Sequence, residues 1–311
     1  MALSTEMILT LQQLDGVGNK TIFKIADQAS TPITTMESLC KFWKSLKGKK
    51  LQSITADDLE DAHRVALRII SKSKSENVGI MSFYESIFPE VLKSCVNEEG
   101  KLDPPILLYY RGNLDVLKKP GIAVIGTREP TRNGILAGKH FSGEFAKRGY
   151  NIVSGLAIGC DTTGHQGALA VGGATTAFLA NGLDWDSIYP KENLDLAKEI
   201  VVKEGLLLSE YPVGQSCGRY GLVARDRLQA GLSYATVIVQ TGVKGGTMHA
   251  VNATIQSKKP LFAVEYKTDE DTSNEKVQGN IKLVKEQKAY ALRSTGIDDA
   301  CSIIEKAHKI I

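Results

Sequence analysis

The sequence predicts an α/β protein: an extended Rossmann-like, doubly wound, mostly parallel sheet preceded by a small all-helical domain. Three observations carry this. Short apolar runs recur from residue 121 onward: "IAVIG", "YNIVSG", "TTAFLANG", "GLLLSE", "ATVIVQTG" and "KPLFAVE", separated by helix-length segments. Strands alternating with helices specify βαβ units. The runs are unbroken rather than alternating, which marks strands covered on both faces. Before residue 75 the spacing is helical instead, with Ile8, Leu11, Leu14 and later Val65, Ile69 and Ile70 on recurring faces.

The composition sets bounds on what this protein can be. The chain has 311 residues, 42% hydrophobic and 23% charged, ordinary values for a soluble globular protein of two domains. The formal net charge of +3 permits a polyanionic partner without demanding one. Cys40, Cys95, Cys160, Cys217 and Cys301 are scattered, with no metal-ligand spacing and no disulfide framework. Reduced thiols in a cytoplasm fit this usage. "MALSTEMILT" lacks the basic region and long apolar stretch of a signal peptide, so none is expected. No run of about 18 apolar residues predicts a transmembrane helix.

Taken in order, residues 1–75 form the expected helical domain. "LDGVGNKT" places Gly16 and Gly18 around Val17 in a tight turn between two short helices, like a helix-hairpin-helix. Such a turn can present N–H groups to a nucleic-acid phosphate. The plainer reading is a glycine-rich connection in a helical bundle. "KFWKSLKGKK" carries Lys41, Lys44, Lys47, Lys49 and Lys50, which reads as a solvated face offset by Asp57, Asp58, Glu60 and Asp61. Residues 76–120 are a junction, stiffened by "DPP" and containing the short strand "ILLYYRG". Residues 121–311 are the Rossmann-like domain with a short C-terminal extension.

The strand ends carry the candidate site. In open α/β sheets ligands bind beyond the carboxyl ends of the strands. The first run ends in Gly126, Thr127 and Arg128, and the second in Ser154, Gly155 and Gly159. The third ends in Asn181 and Gly182, and a later one in Lys244, Gly245, Gly246 and Thr247. Glycine admits a ligand close to the backbone, and the helix N-terminus that follows offers free N–H groups and partial positive charge. Four such loops on one edge point to an anion, a phosphate above all. "GTREPTRNG" lacks the glycine spacing of a dinucleotide fingerprint, and in "GVKGGT" the lysine precedes the glycines, so it is no Walker A loop. Asp161 and His165 could be an acid–base pair. The simpler reading is a helix cap and a locally bonded histidine. His249 reads as a positioning residue. No nucleophile–base–orienter set is legible, no cofactor or metal is implied, and no catalysis is demanded.

These residues resemble the DNA-processing protein A family, also called Smf. The landmarks occur in order from about residue 7 to 300: "LDGVG", "GIMSFYESIFPEVLKS", "DPPILLYYRGN", "IAVIGTREPTRNG", "IVSGLAIGCDTTGHQGAL", "NGLDWDSIYPKEN", "GLLLSEYP", "RDRLQAGLS", "LFAVE" and "GNIKLVKEQKAYAL". The resemblance implies sequence-independent binding of single-stranded DNA, a homodimer, loading of the RecA recombinase in natural transformation, and no catalysis. It implies that the anion is a DNA phosphate. It places Gly126 and Arg128 at the first phosphate loop and Ser154, Gly155 and Gly159 at the second. Arg225 and Arg227 fall at an Arg-x-Arg pair, and Lys244 in the last glycine loop. Arginine can grip a phosphate through parallel bonds and stack on a base. Three positions depart from the family's pattern. Ile158 replaces an arginine, Asp226 an asparagine, and "KGGT" a Ser-Gly-Ser-type loop. Lys244 is expected to compensate for the charge lost at 158. A C-terminal winged-helix-like module is not expected in a chain ending at 311.

Two other readings use the same loops. One is a nucleotide-derivative sensor, in phage defence or signalling, whose altered loops close on a free mononucleotide. The other is a phosphoribohydrolase-type enzyme, for which Ala250 stands near the place of the required acid.

Overall fold

The computed structural model describes residues 2–46, 51 and 53–308, without the side chains of residues 219 and 220. Of the lysine run, Lys47, Lys49 and Lys50 lie outside the described residues.

Among the described residues four helices open the chain: α1 (Thr5–Gln12), α2 (Asn19–Ala26), α3 (Met36–Trp43) and α4 (Ala56–Ser75). Local chemistry fixes two of their starts. Thr35 and Ser38 form a reciprocal capping box before α3, as do Thr55 and Asp58 before α4. The Asp15–Gly18 turn between α1 and α2 is largely exposed, with Val17 buried beneath it.

Nine strands follow: β1 (Gly79–Ser82), β2 (Leu107–Gly112), β3 (Gly121–Ile125), β4 (Asn151–Ser154), β5 (Thr175–Leu179), β6 (Leu206–Ser209), β7 (Ser233–Ile238), β8 (Leu261–Val264) and β9 (Tyr290–Leu292). They form one sheet in the order β1-β2-β6-β5-β4-β3-β7-β8-β9. From β6 to β9 all neighbours are parallel; β1–β2 and β2–β6 are antiparallel. The crossovers are α5 (Arg132–Lys147), α6 (Cys160–Ala170), α7 (Leu194–Val202), α8 (Arg219–Leu232), α9 (Thr247–Gln256) and α10 (Gln278–Lys285), and α11 (Ile297–His308) closes the described chain.

Successive strand residues point to opposite faces, and both faces are covered. On β5, Ala177 and Leu179 pack with the N-terminal helices and α7, while Phe178 packs with Leu228 and Leu232 of α8. On β3, Ile122 and Val124 meet Phe141 and Phe145 of α5, while Ala123 and Ile125 meet Ala250 and Val251 of α9. This is the doubly wound arrangement that the unbroken apolar runs predict.

Two features lie outside the sequence reading. Besides the expected strand, β2, the junction supplies a second one, β1, so the sheet extends beyond its parallel core by two antiparallel strands. The core is also continuous across residue 75: Ile8, Leu11 and Leu59 share one apolar cluster with Leu107, Leu179 and Leu207. Arg111 of β2 pins this seam. Its guanidinium carbon lies 4.3 Å from the Trp185 ring centroid, and its Nη2 lies 3.7 Å from Glu76 at the end of α4.

Candidate nucleic-acid interface

The strand order reverses at β3. The chain steps outward from β3 through β4, β5 and β6, then returns to β7 on the opposite side. This is the switch point at which an open α/β sheet binds its ligand. Here the carboxyl ends of β3 and β7 open onto a cavity of about 500 Å³. The loop after β3 (Gly126, Thr127, Arg128) forms one wall and the loop after β7 (Thr241–Thr247) another. Ala157 and Asp161 come from the segment after β4. Leu222, Arg225, Asp226 and Gln229 come from one side of α8.

Gln240, buried at the end of β7, braces the first loop. Its carbonyl accepts the Thr127 N–H at 2.7 Å, its Oε1 accepts the Thr131 N–H at 2.9 Å, and its Nε2 donates to Thr131 Oγ1 at 2.8 Å. Thr131 in turn caps α5 by accepting the Gly134 N–H. Gly126 is pressed between Cys160 Sγ and the Gln240 carbonyl, so its part is close packing of strand and helix. Gly159 has φ +86°, and a Cβ there would lie 2.5 Å from the Arg128 carbonyl. Only glycine lets the β4 loop pass this close beneath Arg128. Gly245 and Gly246 face open space, leaving bare backbone along the other rim.

Three cations meet in this cavity. Arg128 and Lys244 are exposed. Arg225 is not: its side chain is 7% exposed, held between Asp161 Oδ2 at 3.6 Å and Asp226 Oδ1 at 3.4 Å. Its Nε and Nη1 make no hydrogen bond. A methyl group at Gly155 would lie 1.1 Å from Nη1, so this glycine makes the room that the guanidinium occupies. Asp161 does not cap α6. Its Oδ2 accepts the N–H groups of Gly155 and Ala157 at 3.0 and 3.3 Å, fixing the β4 loop around Arg225. Burial pushes the Asp161 carboxyl above its ordinary value, while Arg225 and the two amides pull it back. Burial also pushes Asp226 up to about 6, against the pull of Arg225 and with the repulsion of Asp161.

The other expected site residues lie elsewhere. Ser154 is buried and donates to the Val124 carbonyl at 2.6 Å. Asn181 is buried and donates to the Gly182 carbonyl, while the Gly182 N–H donates to the Gln215 carbonyl. The β5 loop is thereby closed by the 212–215 segment and forms no wall of the large cavity. Arg225 and Arg227 do not act as a pair. Residues two apart in a helix point about 200° apart, and Arg227 faces away from the cavity. Its Nη1 and Nη2 donate to the Glu210 carboxylate at 2.8 and 2.9 Å, and its Nε lies 2.7 Å from Asp103 Oδ2. His165 is buried, with Nδ1 2.7 Å from Thr175 Oγ1, and burial pushes its pKa down to about 3. It is neutral and out of reach of any ligand. His249 Nδ1 lies 2.6 Å from Glu98 Oε2.

A glycine-walled cleft at the switch point of a doubly wound sheet, with cations on its rim and one at its floor, defines the class: a protein of Rossmann-like fold. The chain belongs to the DNA recombination-mediator protein A family, whose family model matches residues 79–305. It is 30% identical over 241 residues to the DNA processing protein DprA of Bacillus subtilis, covering 73% of this chain and 78% of that one. It is 39% identical over 170 residues to the Smf protein of Synechocystis, covering 53% of this chain and 42% of that longer protein. The X-ray structure of DprA from Streptococcus pneumoniae superposes with a TM-score of 0.74 at 24% identity, over 96% of this chain and 98% of that one. DNA processing protein A from Helicobacter pylori, whose structure gives insights into its unique single-stranded DNA binding mode, superposes with a TM-score of 0.60 at 28% identity. That match covers 72% of this chain and 96% of that one.

Proposed function

We propose that the switch-point cleft binds single-stranded DNA through its phosphates, without catalysis, and that the chain mediates recombination by loading the RecA recombinase as a homodimer. One observation carries the binding reading. Arg128, Lys244 and the hydrogen-bond-poor guanidinium of Arg225 line the same cavity as the bare backbone of Gly245 and Gly246. Buried donors without partners favour a ligand that supplies acceptors, and phosphate does so for arginine in a paired geometry. The single-stranded DNA binding described for the Helicobacter pylori relative supports the same ligand class. RecA loading and dimerisation rest on family membership. A cytoplasmic location likewise rests on family membership; among the described residues no helix is long and apolar enough to cross a membrane.

The test is a salt titration of a labelled single-stranded oligonucleotide. Binding that falls steeply and log-linearly with salt is expected, because neutralised phosphates release counterions, at a slope of about 0.7 per phosphate contacted. No binding at low salt overturns the proposal.

A further inference from the structure

Outside the cleft, exposed charge divides by side. From residue 62 to the end of α4 the chain holds Arg64, Arg68, Lys72 and Lys74 and no acid. The helix buries Leu59, Ala62, Ala66 and Ser73. Its opposite face presents Arg64, Arg68 and Lys72, all exposed, at steps of four residues or about 6 Å. Arg64 pairs with exposed Asp61 on the same helix, and a pair of that kind is weak and open to exchange. Among the described residues the Arg68 and Lys72 side chains make no ion pair or hydrogen bond.

This face leads towards the cleft. The Lys72 ammonium stands over Gly214, where an added Cβ would meet it. Gly214 belongs to the 212–215 segment that closes the β5 loop, and its N–H donates to buried Asp184 at 2.6 Å. A few residues on, Cys217 feels the charges of Arg225 and Arg128, and α8 then begins along the cavity wall. β5 lies two strands from β3, about 10 Å at ordinary strand spacing. On the β8 side the charge is reversed. Residues 267–276 carry Asp269, Glu270, Asp271 and Glu275 against Lys267 and Lys276, and Lys276 is already taken by Glu129 of the β3 loop at 3.1 Å. This acidic segment abuts the β7 loop, with the Glu275 carbonyl beside Gly242.

Resting on the phosphate reading above, we infer that a strand too long for the cleft leaves it over the β5 loop and runs along α4, where Lys72, Arg68 and Arg64 take its phosphates. Two independent observations set this direction. The α4 face offers cations without neutralising partners, one helical turn apart, and it is continuous with the cleft through residues 214–218. The opposite exit, past β8, meets an excess of carboxylates that repels a polyanion. Contacts of this kind carry no base information, so the path serves a strand of any sequence. The amino-terminal helices thereby lengthen the binding site without adding a second cleft.

The experiment is a salt titration of two labelled oligothymidylates, one of about 6 nucleotides that the cleft alone can hold and one of about 20 that overruns it. The triple variant Arg64→Ala, Arg68→Ala, Lys72→Ala is compared with Lys282→Ala, Lys285→Ala, Lys288→Ala, which removes the same number of exposed cations from the β8 end of the molecule. The α4 variant is expected to bind the short chain as the native protein does, which also reports an intact fold. For the long chain its log–log salt slope is expected to fall by about 2, at about 0.7 for each of the three contacts. The second variant is expected to leave both slopes unchanged. An unchanged long-chain slope in the α4 variant overturns the path, and so does a loss shared equally by the short chain or by the second variant. Each of these outcomes leaves the phosphate reading of the cleft intact. Failure of the native protein to bind either chain at low salt overturns both.

Discussion

Asp226→Asn tests the electrostatics of the cleft most directly. Asp226 sits on α8 with its side chain 16% exposed. It faces Arg225 at 3.4 Å, accepts a hydrogen bond from Gln229 Nε2 at 3.0 Å, and feels Asp161, His249 and Arg128. Burial is the largest influence on it and lifts its pKa from 3.8 to about 6. An acid whose pKa is raised by folding binds its proton more tightly in the native state, so its ionisation destabilises the fold. That penalty is absent below the unfolded value of 3.8, grows as pH rises towards about 6, and is constant above it. At about 1.4 kcal/mol per pH unit, it amounts to about 3 kcal/mol at neutral pH. Asparagine has the same shape, retains an acceptor for Gln229 and carries no charge. Asp226→Asn is therefore expected to be more stable than the native chain by up to about 3 kcal/mol at pH 7–8 and nearly equal to it at pH 4. Urea unfolding of both chains across that pH range, with matched m-values, measures the difference. A gain independent of pH, or a loss of stability at pH 7, would falsify the assignment of a buried, raised carboxyl at this position.

Three further outcomes follow from the same geometry. Arg128→Ala and Lys244→Ala should each flatten the salt dependence of single-stranded DNA binding by about 0.7, with the fold unaffected; an unchanged slope removes that residue from the phosphate path. Gly155→Ala should displace the Arg225 guanidinium, since the added methyl would lie 1.1 Å from Nη1; weaker oligonucleotide binding is expected, and native affinity in a folded variant would show that Arg225 is not needed. Arg227→Ala should cost about 3 kcal/mol of stability in urea unfolding by leaving Glu210 and Asp103 without their partner, while the folded fraction binds DNA normally.

The sequence reveals most clearly what one-dimensional patterns encode. The strands flanking the site are continuous apolar stretches ending in glycine, so β3, β4, β7 and the loops after them could be placed. β1 and β9 escaped because they are short and half-covered: Tyr290 and Ala291 are exposed and only Leu292 is buried in β9. The opposed directions of Arg225 and Arg227 follow from helical geometry, yet the motif resemblance presented them as a pair. Asp161 read as a helix cap because its neighbours in sequence form a helix start. Its partner Arg225 lies 64 positions away. Gln240 carried no local signal, since a brace is defined by what lies across from it in space.

The apolar seam across residue 75 has a practical consequence. The family model spans residues 79–305, but a fragment cut to that span would uncover Leu107, Leu179 and Leu207 where Ile8, Leu11 and Leu59 now seal them. Such a contiguous greasy face invites aggregation. The amino-terminal helices therefore serve as a fixed lid on one side of the sheet, and any hand they have in guiding a DNA strand is exerted from a rigid mount, not from a swinging arm.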